Sequence, residues 1–211
     1  MKKQVLVLLA LFGTLSTYAQ VSFGVKAGFN SASISGGEGA KRLSAWHAGG
    51  IADISLAENF SLQPQLLVSV KGTKSEAYEI PSGIPGMDPI TFPSTKLSLT
   101  YLEVPVNFLY KHEAGAGKIF VGAGPYVGFG LTGKLKADAE GVEDVDVKFD
   151  GKKFEDLEGE EGDDAAHLKR LDAGANFLAG YELKNGLLFS INYSLGLTKI
   201  DPDGGDGKNG Y

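Results

Sequence analysis

The chain has no cysteine in its 211 residues, which excludes both disulfide stapling and lipid attachment at an N-terminal cysteine. Positive charge is in short supply: 20 Lys and Arg face 26 Asp and Glu, for a formal net charge of −6. That balance argues against nucleic acid as a partner, because a phosphate backbone needs a basic face. Long apolar runs are missing too. The run from Val5 to Leu15 covers about 11 residues, well short of the roughly 20 that a spanning helix requires. No later stretch comes close to that length, so no transmembrane helix is expected downstream. There is no nucleophile elbow, metal-ligand cluster or phosphate loop. His47, His112 and His167 lie far apart in sequence, and Gly122-Ala123-Gly124 sits in a strand pattern with no helix after it, unlike a dinucleotide-binding turn. No acid, base and nucleophile meet in a motif, so neither catalysis nor a cofactor is expected.

The first twenty residues carry an address. Lys2 and Lys3 precede the apolar run, and Thr17 and Ala19 place small residues at −3 and −1 of a cut before Gln20. These three parts read as a signal peptide over residues 1–19, with one domain over residues 20–211. Gly is abundant at 30 residues, about twice the usual share and without a collagen-like period. Beside so much Val, Leu, Phe and Tyr, it suits the close packing and tight turns of a barrel.

From residue 21 onward the sequence alternates with period two, which predicts strands. Seven such runs are legible, among them Val21–Phe29, Phe60–Val70, Leu102–Tyr110 and Leu187–Leu197. Their connections also alternate. Residues 56–59, 112–117 and 184–186 are short, the last carrying the hairpin pair Asn185-Gly186. Residues 31–44, 73–96, 134–168 and 200–210 form long polar links. Short turns at one end and long loops at the other are the layout of an outer-membrane barrel. The fold class expected is all-β, an antiparallel up-and-down transmembrane barrel. Bacterial barrels of one chain have even strand numbers, so an eighth strand is expected to begin near Tyr211, and the chain reads as lacking that last strand.

A soluble barrel around an apolar ligand would alternate in the same way. The polar face separates the two readings. Here it is mostly Gly, Ser, Asn and Gln, with isolated charges at Lys26, Asp53, Lys71, Glu103 and Asp172, which fits a narrow lumen better than a water-facing surface. The apolar face carries Phe23, Phe29, Trp46, Phe60, Tyr101, Tyr110, Phe129, Tyr181 and Tyr193, as interfacial aromatic girdles would. Eight strands enclose a space that side chains fill.

The run Phe23-Gly24-Val25-Lys26-Ala27-Gly28 follows the Ala-Gln cut, and His47-Ala48-Gly49 opens the second strand. Phe60-Ser61-Leu62-Gln63-Pro64-Gln65-Leu66, Tyr101-Leu102-Glu103-Val104-Pro105-Val106, Gly122-Ala123-Gly124-Pro125-Tyr126 and Asn192-Tyr193-Ser194-Leu195-Gly196-Leu197 come after them. Over residues 20–200 the chain resembles the outer-membrane β-barrel family common in Bacteroidetes, the group that includes PorT-like proteins. The resemblance implies an outer-membrane location, an eight-stranded barrel and no shared catalytic motif. A role in secretion or gliding is not implied, since it belongs to a minority of members.

Two candidate constellations remain. Lys26, Lys71, Glu103 and Asp172 are expected to face the lumen and to include at least one buried pair, because an isolated charge there would be costly. Residues 138–164 hold thirteen acids against three lysines. Asp144, Asp146, Asp156, Glu158, Glu160, Glu161, Asp163 and Asp164 are the core of this acidic loop. A solvated outer loop is its plain reading; a loop loaded with cations such as calcium, or one that binds a basic partner, is the sharper one. Asp201-Pro202-Asp203-Gly204-Gly205-Asp206-Gly207 lacks the third ligand and closing Glu of a calcium loop. The function expected is a monomeric surface or structural protein in outer-membrane lipid, meeting an extracellular or envelope protein through loops 73–96 and 134–168. A narrow channel or secretion accessory, and a soluble binder of an apolar ligand, are the alternatives.

Overall fold

A computed structural model describes residues 20–35, 40–82, 88–139, 141–153, 165–204 and 207–211. The proposed signal peptide falls outside them. Long strands dominate: β1 Val21–Ile34, β2 Lys41–Ala57, β3 Phe60–Ser75, β6 Thr95–Ala114, β7 Gly117–Ala137, β10 Leu171–Leu183 and β11 Leu188–Gly196. Short ones lie between them or after them: β4 Tyr78–Ile80, β5 Ile90–Phe92, β8 Val145–Lys148, β9 Ala166–His167 and β12 Asn209–Gly210. The pairings run β1-β2-β3-β6-β7-β10-β11-β12 and back to β1, an antiparallel ring of eight. The eighth place is taken by β12, two residues before the position read from sequence. It pairs Asn209 with Ile34, and Gly210 with both Ser33 and Leu195. Tyr211 extends it through reciprocal backbone bonds with Ser194. β12 is so short that it joins β1 to β11 only at the loop end. Below it, a cavity of about 580 Å³ opens between the two edges, past Lys26.

The barrel is inside-out relative to a soluble one. Phe23, Val25, Phe29 and Ile191 stand 84–97% exposed on its exterior. Its interior buries Ser61, Gln63, Gln65, Ser69, Lys71, Glu103, Asn107, Asp172 and Asn176. An exterior of this kind costs nothing in hydrocarbon, and the ladders satisfy the backbone there except along the facing edges of β1 and β11, which β12 bridges only at the loop end. Glycine gives the lumen its room. A Cβ at Gly180 would meet the Phe120 ring at 2.4 Å, and one at Gly174 would meet Tyr126 at 2.6 Å.

Three expected loops are shorter than the sequence implied, because strands run on into polar sequence. β3 reaches Ser75, β6 starts at Thr95 and β7 continues to Ala137. The alternation survives there, but its faces exchange. Leu43, Leu97, Leu99 and Leu135 turn inward, while Ser44, Lys96, Ser98, Lys134 and Lys136 turn outward. The expected link 73–96 contains the β4–β5 hairpin, and the link 134–168 contains β8 and β9.

Candidate functional site: the barrel lumen and its cap

The lumen is built in layers, and strand parity fills each one. Nearest the short turns, Lys111 of β6 holds Asp53 of β2 at 2.9 Å and Glu182 of β10 at 2.8 Å. Ser61 and Gln63 of β3 donate to the same Asp53 carboxylate. An apolar layer of Leu109, Phe120 and Leu178 lies above this, with Leu188 against it. Amides come next. Gln65 donates to Gln63 at 2.9 Å, Ser194 donates to Asn176 at 2.6 Å, and Asn107 is buried among them. Lys26 reaches this layer, donating to Gln65 at 3.3 Å and Asn192 at 3.5 Å.

The fourth layer centres on Lys71. Its ammonium lies 2.5 Å from Glu103 and 3.0 Å from Asp172, and all three side chains are 0–1% exposed. The remaining lone pairs are largely used: Tyr211 donates to Glu103 at 2.8 Å, and Tyr126, Thr198 and Asn209 donate to Asp172 at 3.2–3.4 Å. The rings of Tyr101, Tyr126 and Tyr211 lie 4.4–5.6 Å from the ammonium, so the cation is surrounded on its remaining sides by aromatic faces.

Of the four charges read as lumen-facing, three meet here. Lys26 stands in the neighbouring layer on amides instead of a carboxylate. Tyr101 is a correction. It is fully buried in this layer, where its hydroxyl accepts from Asn209 at 3.2 Å, and it is no part of an outer aromatic girdle. It shares the inward parity of Glu103, two residues on, and that parity outweighs the habit of aromatics to sit at an interface. Lys111 and Glu182 were not singled out from sequence, although they continue the same inward parity from Glu103 and Asp172.

A cap closes the loop end. Phe149, just past β8, drops onto Tyr101 with ring centroids 5.5 Å apart. Leu99, Val147 and Ile200 are buried around them, with Ile34, Leu97, Ala166 and Leu168 alongside. Gly130 makes the space, since a Cβ there would meet the Phe149 ring at 2.3 Å. Outside the cap, His167 hydrogen-bonds Asp150 at 2.8 Å. Partial desolvation pushes that carboxyl up, but the His167 bond, the Lys152 backbone N–H and the His167 charge together outweigh it and hold Asp150 below its usual range.

Asp144 and Asp146 of the acidic segment are engaged by lysines of β7: Lys136 lies 2.5 Å from Asp144, and Lys134 lies 3.8 Å from Asp146. Asp156, Glu158, Glu160, Glu161, Asp163 and Asp164 lie outside the described residues. Among the described residues no three His, Asp or Glu side chains converge as metal ligands.

An antiparallel ring with an apolar exterior and a layered polar lumen is the anatomy of a barrel for the outer membrane. Residues 16–201 match the family described as outer membrane protein beta-barrel domain. The chain belongs to that family. Its location is accordingly the outer membrane. No curated protein and no solved structure matches the chain.

Proposed function

We propose that this outer-membrane barrel is a non-catalytic scaffold that presents its loop end to an extracellular or envelope protein partner. The observation that carries this reading is the obstruction of the lumen along its axis; the cavity past Lys26 opens sideways, between the edges of β1 and β11. Two lysine-centred charge layers, an apolar layer and the Phe149 cap stand in series along the barrel axis, which leaves the loop end as the surface available for work. The β4–β5 hairpin supports it. Tyr78 stacks on Phe92 at 4.8 Å and Ile80 pairs with Ile90, and all four are exposed, a pattern typical of contact surfaces. The ladder fixes the roots of such loops while their tips vary. The narrower placement among PorT-like barrels of Bacteroidetes, with export by a cleaved signal peptide, rests on the motifs and leader of the sequence; action as a monomer is part of the same proposal. The deciding experiment is planar-bilayer recording on the full chain. A silent bilayer is the expected result; discrete conductance steps would replace the scaffold with a channel.

A further inference from the structure

The exterior of the loop end carries a row of like charges that the described residues neutralise only in part. Lys74 of β3 pairs directly across the ladder with Lys96 of β6, and Lys96 pairs directly with Lys136 of β7. Lys134 stands two residues along β7 from Lys136, opposite Ser98. All four lysines are exposed. Residues directly opposite in an antiparallel ladder have Cβ atoms about 5 Å apart, so like charges there repel. Counter-charge reaches the two lysines of β7 through Asp144 and Asp146, and Asp146 is only a loose partner. Glu76 is bound to Lys41, next to Lys74 in the ladder. Lys96, in the middle, makes no ion pair among the described residues. Three adjacent strands thus present ammonium groups in register with less carboxylate than they need.

Where the row sits gives its purpose. Moving toward the loop end along the outer face of β6, the side chains run Val104, Leu102, Thr100, Ser98, Lys96. Along β7 they run Phe129, Leu131, Thr132, Lys134, Lys136, and along β3 they run Leu66, Val68, Val70 and then Lys74. Each strand passes from apolar groups to ammonium at the same level, and β6 and β7 pass through hydroxyls between. At that level the inward and outward faces also exchange character, with Leu97, Leu99 and Leu135 turning inward. This is the order of a membrane leaflet: acyl chain, then ester and glycerol, then phosphate.

We infer that Lys74, Lys96, Lys134 and Lys136 form a docking surface for the phosphate-bearing headgroups of anionic lipids at the loop end of the lipid-facing belt. A phosphate brings several acceptor oxygens and a negative charge, which Lys74 and Lys96 do not receive from an ion pair among the described residues, and basic residues at a bilayer surface gain from each anionic headgroup they meet. The inference rests on the membrane placement of the barrel. Its test is therefore built so that insertion and lipid preference are read separately.

The full chain and its Lys74→Gln/Lys96→Gln/Lys136→Gln variant are reconstituted in phosphatidylcholine vesicles, with and without phosphatidylglycerol. Heat-modifiable gel mobility reports the folded, inserted barrel, and thermal unfolding reports lipid preference. Both proteins are expected to insert and unfold alike in pure phosphatidylcholine. Phosphatidylglycerol raises the melting temperature of the native chain, less so at high salt, and the variant loses that rise. The lost cations correspond to a weakening of headgroup binding of roughly a hundredfold. An equal rise in both proteins would overturn the inference. So would an equal rise from free glycerol phosphate, which would assign the row to soluble anions instead of lipid. Failure of either protein to insert in phosphatidylcholine would overturn the membrane placement on which the inference stands.

Discussion

Replacing Lys71 by Met removes the single cation that two buried carboxylates share. At an effective dielectric constant near 20, a pair of unit charges about 3 Å apart is worth roughly 6 kcal/mol. Lys71 makes two such contacts, at 2.5 and 3.0 Å. Most of that gross attraction is offset by the desolvation of three ions. Taking away one partner is a different matter, because the desolvation of the other two remains while the attraction is gone. Breaking a buried pair in this way costs about 3–5 kcal/mol. Hydrogen bonds from Tyr211 to Glu103, and from Tyr126, Thr198 and Asn209 to Asp172, soften the loss without replacing a charge. Lys71→Met should therefore lower stability by about 3–5 kcal/mol. The neutral triple variant Lys71→Met/Glu103→Gln/Asp172→Asn should recover most of that, to within about 1–2 kcal/mol of the native chain, since shape-matched neutral replacements of buried ions are often harmless. Urea unfolding in detergent micelles, with tyrosine and Trp46 fluorescence as readout, measures both. A single variant that unfolds at the native midpoint, or a triple variant no more stable than the single one, would show that Lys71 does not hold the two carboxylates in this way.

Two other outcomes follow from the cap. Phe149→Ala removes the ring that fills the space over Gly130, a loss of about 3 kcal/mol or more by the usual cost of emptying a buried aromatic site. Because the ring sits on a loop, amide exchange over residues 145–149 should speed up while exchange in the centre of β6 does not change; uniform acceleration would mean that the cap is part of the barrel's global unfolding unit. Asp150 has a folded-state pKa held below its unfolded value of about 3.9, so its bond to His167 contributes stability above that unfolded value and loses it as pH falls through the depressed folded one. Protection of residues 149–151 and 165–168 should therefore be flat from neutral pH to about 5 and decline in the acid range below 4; Asp150→Asn should abolish the decline, and an unchanged decline in that variant would assign it to other groups.

The ring of strands was readable because each strand keeps one apolar face, and that period of two gives both the element and the side that meets lipid. Reading failed where the period persisted and its faces exchanged. Leu97 and Leu99 turn inward beneath the cap, so the alternation legible over Leu102–Tyr110 was not followed back through them, and Thr95 and Lys96 at the start of β6 were read as part of the link 73–96. β12 is two residues within a Gly- and Asp-rich segment, too short for any period to show, and only its partners Ser33, Ile34 and Leu195 define it. In the lumen, parity from Glu103 reaches Tyr101 and Lys111, and parity from Asp172 reaches Glu182. What parity does not carry is which charges share a layer. Lys71, Glu103 and Asp172 come from three strands whose register is set by turns and by a shift between Thr100 and Tyr101, so Lys26 stands one layer away from the carboxylates.

The absence of cysteine makes the central claim directly measurable. Single cysteines at Val25, Val127 and Ile191 on the exterior, and at Asn107 in the lumen, can be labelled with an environment-sensitive fluorophore in the bilayer-embedded full chain. A quencher confined to the acyl region is expected to dim the probes at 25, 127 and 191 and to leave 107 bright. Quenching of the exterior probes by a water-soluble quencher, with the lipid-borne one inert, would contradict that claim and place the apolar face against something other than lipid.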